Sequence, residues 1–179
     1  RSYHVFLLLF VLLAVLVIVA SVVTQHMTAE AFNRVVEQTD GIIRSQVWLD
    51  ELSRSLLEVN AAGNNIFKSQ DVPTERGNFR FHLVELRGHV GGLSGDFLNR
   101  PSFERDVDDM VEAEQHIFDC FDELSCAPIG SEAEETLLAE AAQSMAEMDA
   151  AQARAMEVLG HARRVLRQRQ QAIQDEGKQ

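Results

Sequence analysis

An unbroken apolar segment near the N-terminus limits the fold of this chain more than any other feature. Residues 3–23 read YHVFLLLFVLLAVLVIVASVV and contain no Asp, Glu, Lys, Arg, Gly or Pro. About 20 helical residues, at ~1.5 Å rise each, span the ~30 Å hydrocarbon core of a bilayer. Because lipid offers the backbone no hydrogen-bond partners, a lone span must be helical. The sequence therefore predicts a transmembrane helix over residues 1–23.

The alternative for this segment is a cleaved signal peptide, whose apolar region usually has ~7–15 residues and ends in small residues. The run here is longer, and Ile18 and Val19 stand before Ala20 where a second small residue is needed, which favours an uncleaved anchor. Arg1 precedes the run, whereas residues 24–30 contain no Lys or Arg. The positive-inside rule then predicts a protein of the inner (cytoplasmic) membrane, with residues 24–179 periplasmic or extracellular. Since the chain starts without Met and ends within a helical pattern, we interpret it as a fragment of a longer protein.

The part after the apolar run is strongly acidic. Residues 24–179 hold all 28 Asp and Glu residues and 15 of the 16 Lys and Arg residues, a net charge of −13. Nucleic-acid binding and polybasic adhesion to anionic lipid both require Lys and Arg, so we expect no nucleic-acid partner. Residues 104–149 contain fifteen acidic residues and one Arg, which indicates a solvated helical face, with a cation-binding tip as the alternative.

Apolar residues recur at alternating spacings of three and four through the rest of the chain. In the second predicted helix they are Phe79, Leu83, Leu86, Val90, Leu93 and Phe97. The third predicted helix repeats the pattern, with Glu114 at its one missing apolar position. Breaks near residues 71–74, 99–102 and 125–131 contain Pro, and each ends in a Ser or Thr that can cap the next helix. The pattern predicts an all-α chain with helices over about 24–71, 74–98, 102–125 and 131–177.

Helix lengths then indicate the topology. The first and fourth helices would reach ~70 Å, and the two middle ones ~36 Å. Short connections favour antiparallel neighbours. We therefore expect the transmembrane helix to continue into an antiparallel up-down-up-down four-helix bundle, in which the two long helices form a stalk and the two shorter helices complete the bundle. Because a two-helix stalk cannot bury its own apolar seams, we expect a homodimer through helices one and four.

Two cysteines, Cys120 and Cys126, flank a predicted helix end. Outside the cytoplasm a disulfide between them is permitted if the helix ends between them, since helical positions six apart lie too far from each other to bridge. Metal sites in helical bundles typically use Glu-x-x-His motifs, which this sequence lacks, so we predict no metal site and no cofactor. No Ser/His/Asp order and no nucleotide loop is present, so we predict no catalytic residue.

A few polar residues interrupt the first two helices of the predicted bundle. Asn60, Asn64 and Asn65 lie near the apolar seam of helix one, where they either set the packing register or line a small-molecule pocket. Arg76 and Arg80 on helix two either bind an anion or pair with surface acids. These five residues are the candidate ligand-binding set.

Three stretches carry a family resemblance: residues 57–67 (LEVNAAGNNIF) with Ser69-Gln70-Asp71-Val72, residues 110–118 (MVEAEQHIF) and residues 145–151 (MAEMDAA). With the heptad pattern over residues 1–179, they resemble the helical periplasmic sensor modules of bacterial receptors, including the CHASE3-like and four-helix-bundle modules that precede histidine kinases and chemoreceptors. The resemblance implies a dimeric receptor whose cytoplasmic part carries the transmitter. The second transmembrane helix, the HAMP linker and the phosphoacceptor His box of such receptors are not in this sequence.

We therefore expect the signal-input module of a two-component sensor histidine kinase. An unidentified small-molecule or protein stimulus would shift helices one and four in a dimer, and Gln152 and Arg169, which are polar residues in the seam of helix four, would be the points of bistability. The alternatives are a methyl-accepting chemoreceptor domain and a structural coiled-coil assembly protein that senses nothing. The segment itself is not expected to be an enzyme.

Overall fold

The computed structural model describes residues 2–91 and 97–176, which are almost entirely helical. Its helices are α1 (Ser2–Ser69), α2 (Val72–Gly91), α3 (Arg100–Leu124) and α4 (Glu132–Glu176), and the described residues contain no strand. The prediction of an all-α chain with two long and two shorter helices is confirmed. The sequence predicts that helix two continues to residue 98, but α2 ends at Gly91 and Phe97 is not helical; residues 92–96 lie outside the described part.

The chain divides into two compact units, Arg1–Ile43 with Gln170–Gln179, and Arg44–Arg169. The first unit contains the apolar run. Among the described residues, α1 is the one helix that is long and apolar enough to cross a membrane. Its side chains from Leu12 to Val23 are all exposed, as lipid contact requires. Arg1, on which the predicted orientation depends, lies outside the described residues.

Side-chain caps explain where the three later helices begin. The sequence predicts Thr74 and Ser102 as caps, but α2 and α3 begin before their prolines. Asp71 Oδ1 accepts the Thr74 amide at 3.2 Å, and Asn99 Oδ1 accepts the Ser102 amide at 3.4 Å. A first-turn proline is tolerated because its missing N–H would have no partner there. Ser131 caps α4 as predicted, its Oγ accepting a first-turn amide at 3.2 Å.

Within Arg44–Arg169 the four helices pack as an antiparallel bundle. The polar contacts that join them are Asn60–Gln152 and Asp50–Arg163 for α1 with α4, Glu58–His82 and Trp48–His89 for α1 with α2, Arg76–Asp119 and Arg87–Asp108 for α2 with α3, and Asp106–Arg154 for α3 with α4. Three of these helix pairs are joined by two contacts. In each of the three, the contact with the higher residue number on one helix has the lower residue number on the other, so the two helices run antiparallel. The predicted up-down-up-down order is therefore present in this unit.

The core of this unit is built from the predicted heptad positions. Those that are at most 2% exposed include Leu49, Leu52, Leu56, Val59, Ile66, Leu86, Phe103, Met110, Ile117, Met148, Leu159 and Leu166. Aromatic pairs join different helices, with ring centroids 5.0 Å apart for Phe67–Phe121 and 5.8 Å apart for Phe79–Phe118. Leu138 is the exception, since this predicted seam residue is 42% exposed.

Gly77 in the interior of α2 provides a first test of the helix. It is exposed, and a Cβ added to it would have no heavy atom within 4 Å. Because Gly costs a helix interior roughly 0.5–1 kcal/mol relative to Ala, we expect Gly77→Ala to raise the free energy of unfolding by about that amount. Guanidinium denaturation of the full chain in detergent micelles measures it, with the fluorescence of Trp48, the only Trp of the chain, as reporter of this unit. A decrease would contradict an open environment at Gly77.

Candidate functional site

Glu114 occupies an apolar seam position of α3, and its side chain is 0% exposed. Neither of its carboxyl oxygens has a hydrogen-bond partner in the described part of the chain. Burial raises the pKa of the Glu114 carboxyl from 4.5 to about 9, and the nearby Gly63 backbone lowers it by a smaller amount. A carboxyl with this pKa is protonated and uncharged at pH 7.

Gly63 of α1 makes the space in which Glu114 lies. A Cβ at Gly63 would be 2.7 Å from Met148 Sδ and 3.2 Å from Glu114 Cγ, both closer than ordinary van der Waals contact. Since Met148 is itself fully buried in α4, three helices meet at this glycine. The sequence shows Gly63 among the Asn residues of helix one, but its partners on α3 and α4 appear only in the folded chain.

Asn60 lies one helical turn before Gly63 and is 7% exposed. Its Nδ2 donates to Asp149 Oδ1 at 3.1 Å and to Gln152 Oε1 at 2.7 Å, which links α1 to α4. Its Oδ1 is buried and has no hydrogen-bond partner among the described residues. The polar interruption predicted in the seam of helix four, Gln152, is therefore matched by a polar interruption in α1. A polar pair between facing helices favours the register in which its groups are bonded, because a slip leaves buried polar groups unpaired.

The other predicted ligand-binding residues have different partners. Asn64 is half-buried and its Nδ2 donates to the backbone oxygen of Asn60 at 3.2 Å, whereas Asn65 is exposed. Arg76 is half-buried in salt bridges with two α3 carboxylates, at 3.3 and 2.7 Å, and its guanidinium lies 5.5 Å from the centroid of the Phe118 ring. Arg80 is exposed. Asn60 contacts α4, whereas Arg76 contacts α3, so the described contacts do not bring the five residues together into one site. Their role in ligand binding stays a prediction.

A groove between α3 and α4 has a volume of about 490 Å³. Its lining residues are Asp109, Glu112, Ala113, His116, Ser144, Glu147, Ala150 and Arg154. Arg154 spans the two helices, with Nε 2.9 Å from Asp106 Oδ1 and Nη2 2.7 Å from Asp109 Oδ2. Bonding to these carboxylates raises the pKa of Arg154, which keeps it charged. The groove thus has an acidic lining with one cation.

Beside this groove lie three residues that sequence reasoning missed as a group. His116 Nε2 is 3.9 Å from Cys120 Sγ one turn along α3, and ligand atoms of His116, Cys120 and Glu140 of α4 all lie within 4.8 Å of one another. Burial raises the pKa of the Cys120 thiol, and nearby carboxylates, of which Glu140 contributes most, raise it further. The spacing of His116 and Cys120 by four residues was the available signal, since it places both on one helix face.

The two cysteines are both free thiols, so the structure does not contain the permitted disulfide. The helix does end between them, at Leu124, as a bridge would require. However, Cys120 is buried and faces His116, whereas Cys126 is exposed after the helix end. Their different environments explain why the thiols remain apart.

A second mixed cluster joins α1 and α2. His82 Nδ1 lies 3.5 Å from Glu58 Oε2 and 3.2 Å from Glu85 Oε2. The other histidine of α2, His89, lies with Nδ1 3.1 Å from Ser55 Oγ, and its backbone oxygen accepts the Trp48 Nε1 proton at 3.0 Å. The two histidines of α2 therefore have contacts that hold this helix against α1.

Comparisons with known proteins identified no relative of this chain. No protein-family model matches the chain, and no curated protein or solved structure is significantly similar to it. The family resemblance therefore stays a prediction. In the part of the chain that the structure describes, the findings are four helices, no strand and one candidate membrane-spanning helix.

Proposed function

We propose that residues 1–179 form the signal-input module of a bacterial membrane receptor, a two-component sensor histidine kinase. The observation that supports this most is the continuity of α1, which runs from Ser2 to Ser69 and contains both the apolar run and a full side of the bundle. In this proposal a rotation or shift of α1 carries the stimulus along the helix. In this proposal the apolar run lies in the inner membrane and the bundle lies outside the cytoplasm.

An exposed apolar stripe on α1 supports dimerisation. Phe32, Val36 and Ile43 are 66%, 41% and 47% exposed. At 3.6 residues per turn, their side chains leave the helix within about 40° of one another. A stripe of this kind is typical of a helix that packs against a second copy of itself. The homodimer is thus proposed to form through α1, with α4 as its neighbour.

The buried contacts of Asn60 are the proposed switching element. Asn60 bonds two acceptors on α4, and its own oxygen lacks a partner among the described residues. An arrangement in which one amide atom is unpaired lies closer in free energy to alternative registers than a fully satisfied one. A stimulus that favours one register can shift the equilibrium only by its differential affinity for the two, about 1–3 kcal/mol for typical coupling.

Cysteine crosslinking in membranes tests both dimerisation and signalling. In a Cys120→Ser, Cys126→Ser background, we expect Phe32→Cys, Val36→Cys and Ile43→Cys to form disulfide-linked dimers. The matched controls Arg34→Cys and Glu37→Cys, whose side chains leave the helix at least about 100° away from those of the stripe, should crosslink more slowly. When the chain is joined through a second transmembrane helix and a HAMP linker to a histidine-kinase transmitter, the crosslinks should change autophosphorylation by about 5- to 150-fold.

Two outcomes would contradict the proposal. Equal crosslinking at all five positions, or none, would exclude dimerisation through this stripe. Strong crosslinking at the stripe with unchanged autophosphorylation in every register would favour a structural coiled-coil protein. The coding sequence after Gln179 distinguishes a sensor histidine kinase from a chemoreceptor, since a chemoreceptor would continue into a long cytoplasmic coiled coil with Glu/Gln methylation sites.

A further inference from the structure

The cluster of His116, Cys120 and Glu140 combines three kinds of metal-ligand atom. Imidazole nitrogen, thiolate sulfur and carboxylate oxygen are the ligands that Zn²⁺ uses in proteins. All three ligand atoms lie within 4.8 Å of one another, and the pair on α3 is 3.9 Å apart. Around a tetrahedral Zn²⁺, with bonds of about 2.0–2.3 Å, such atoms lie about 3.4–3.6 Å apart. The separations between the ligand atoms must therefore shorten by a few tenths of an ångström to about 1 Å for all three atoms to bind one Zn²⁺ ion.

The three residues differ in exposure, and this difference allows that shortening. Cys120 is 2% exposed, so its sulfur is held in place by the surrounding helices. His116 and Glu140 are exposed at the surface, where their side chains can rotate toward it. One fixed soft ligand with two adjustable ones leaves a fourth position open to water, as in zinc sites that have three protein ligands.

The charges around Cys120 favour a dication. The carboxylates of Asp119, Glu123 and Glu140 all act on its thiol. Arg76 neutralises part of this charge, since it pairs with Asp119 at 3.3 Å. On the side of the groove, Glu112 and Glu147 add further carboxylates near His116. The result is a negative environment around a sulfur ligand, in which a cation is attracted and a bound anion is not.

We propose that His116, Cys120 and Glu140 bind one Zn²⁺ ion that bridges α3 and α4. On binding, the Cys120 S–H bond breaks, its proton goes to solvent, and the sulfur lone pair forms the bond to zinc. The proposed site departs from the sequence prediction of no metal site, for which the absence of a Glu-x-x-His motif was one ground. It does not depend on the proposed receptor function, because its test reads metal binding alone.

The α1–α2 cluster of Glu58, His82 and Glu85 serves as an internal comparison. It also has three ligand atoms within 4.8 Å, but it lacks sulfur, and His82 already has two carboxylate neighbours. Zn²⁺ accepts thiolate readily, whereas carboxylate-rich sites suit Mg²⁺, Ca²⁺ and Mn²⁺ better. We therefore place the zinc site at Cys120 and use His82→Ala as its matched control.

The experiment uses the full chain without a histidine tag, in detergent micelles, stripped of metal and reduced with a phosphine. Titration with Zn²⁺ against a competing indicator should give one ion per chain. His116→Ala, Cys120→Ser and Glu140→Ala should each weaken binding at least tenfold, whereas His82→Ala and Cys126→Ser should bind as wild type does. Co²⁺ should give a thiolate-to-metal charge-transfer band that Cys120→Ser alone among the single variants abolishes.

Three results would overturn the site. They are wild-type affinity in Cys120→Ser, loss of binding in His82→Ala, and absence of the thiolate band from the Co²⁺ complex of the wild-type chain. His116 and Glu140 are exposed, so their variants keep the fold, and helical circular dichroism verifies this. These two variants test the site even if Cys120→Ser fails to fold.

Discussion

Raising the pH from 5.5 to 8 is expected to lower the free energy of unfolding by roughly 3 kcal/mol through Glu114 alone. The pKa of this carboxyl is about 9 in the folded chain and 4.5 ordinarily. Between these values the unfolded chain has lost the proton that the folded chain keeps. The free energy of unfolding therefore falls by about 1.4 kcal/mol per pH unit between the two pKa values. The contribution of Glu114 to stability is fully present below the lower pKa and is lost as the pH rises through the higher one.

Glu114→Gln is the control for this prediction, since it keeps the shape of the side chain and removes the titrating proton. The difference between the stability curves of the wild-type chain and of the Glu114→Gln variant isolates the Glu114 carboxyl, because all other titrating groups are common to both. Guanidinium denaturation in micelles at several pH values, followed by Trp48 fluorescence and circular dichroism, gives the two curves. Parallel curves would show that Glu114 ionises normally in the folded protein and is therefore not buried.

A second substitution separates ionisation from packing. Glu114→Leu removes two buried oxygens that have no hydrogen-bond partner among the described residues. Because unpartnered buried polar atoms cost about 1–3 kcal/mol, we expect this variant to be more stable than wild type at pH 8. The acidic residue is therefore expected to cost the bundle stability.

In the sequence, Glu114 is a polar residue at an apolar heptad position, and only the fold shows its environment. The heptad spacing predicts that this position faces the core, and it does. Whether the carboxyl would be paired, solvated or neutral could not be predicted, because that depends on Gly63 and Met148, which are distant in the chain. Their approach depends on the register between helices, which the turns and the summed packing determine.

The same distinction applies to the caps and to the zinc ligands. Ser131 is predicted correctly because capping is local chemistry. The caps of α2 and α3 are displaced because Asp71 and Asn99 precede first-turn prolines, which are compatible with a helix start. His116 and Cys120 share a helix face in any helix, but the approach of Glu140 requires the α3–α4 turn to have its folded geometry.

Gly63→Leu is expected to lower the free energy of unfolding by about 3 kcal/mol or more. A Cβ at this position would already lie 2.7 Å from Met148 Sδ and 3.1 Å from its Cε. Overpacking a core in this way typically costs about 1–3 kcal/mol, and the further Leu atoms add to the conflict with Glu114. The gain in helix propensity, about 1 kcal/mol relative to Gly, offsets only part of this cost. Gly77→Leu, at a site with no heavy atom within 4 Å, is the matched control and should be neutral or stabilising.

A double-mutant cycle identifies the cause of the loss. Met148→Ala alone should destabilise the bundle by about 2–5 kcal/mol through the cavity that it leaves. If the leucine introduced by Gly63→Leu conflicts with the Met148 side chain, the double variant Gly63→Leu, Met148→Ala fills that cavity and loses about 1–3 kcal/mol less than the sum of the single variants. Additive losses would show that the two positions do not contact each other. Coupling between Gly63 and Met148 would show that α1 and α4 pack tightly at this point, where Gly63 also lies against Glu114. Because Asn60 lies one turn away on α1, a change of register between these helices must then move both the polar contacts of Asn60 and the surroundings of Glu114.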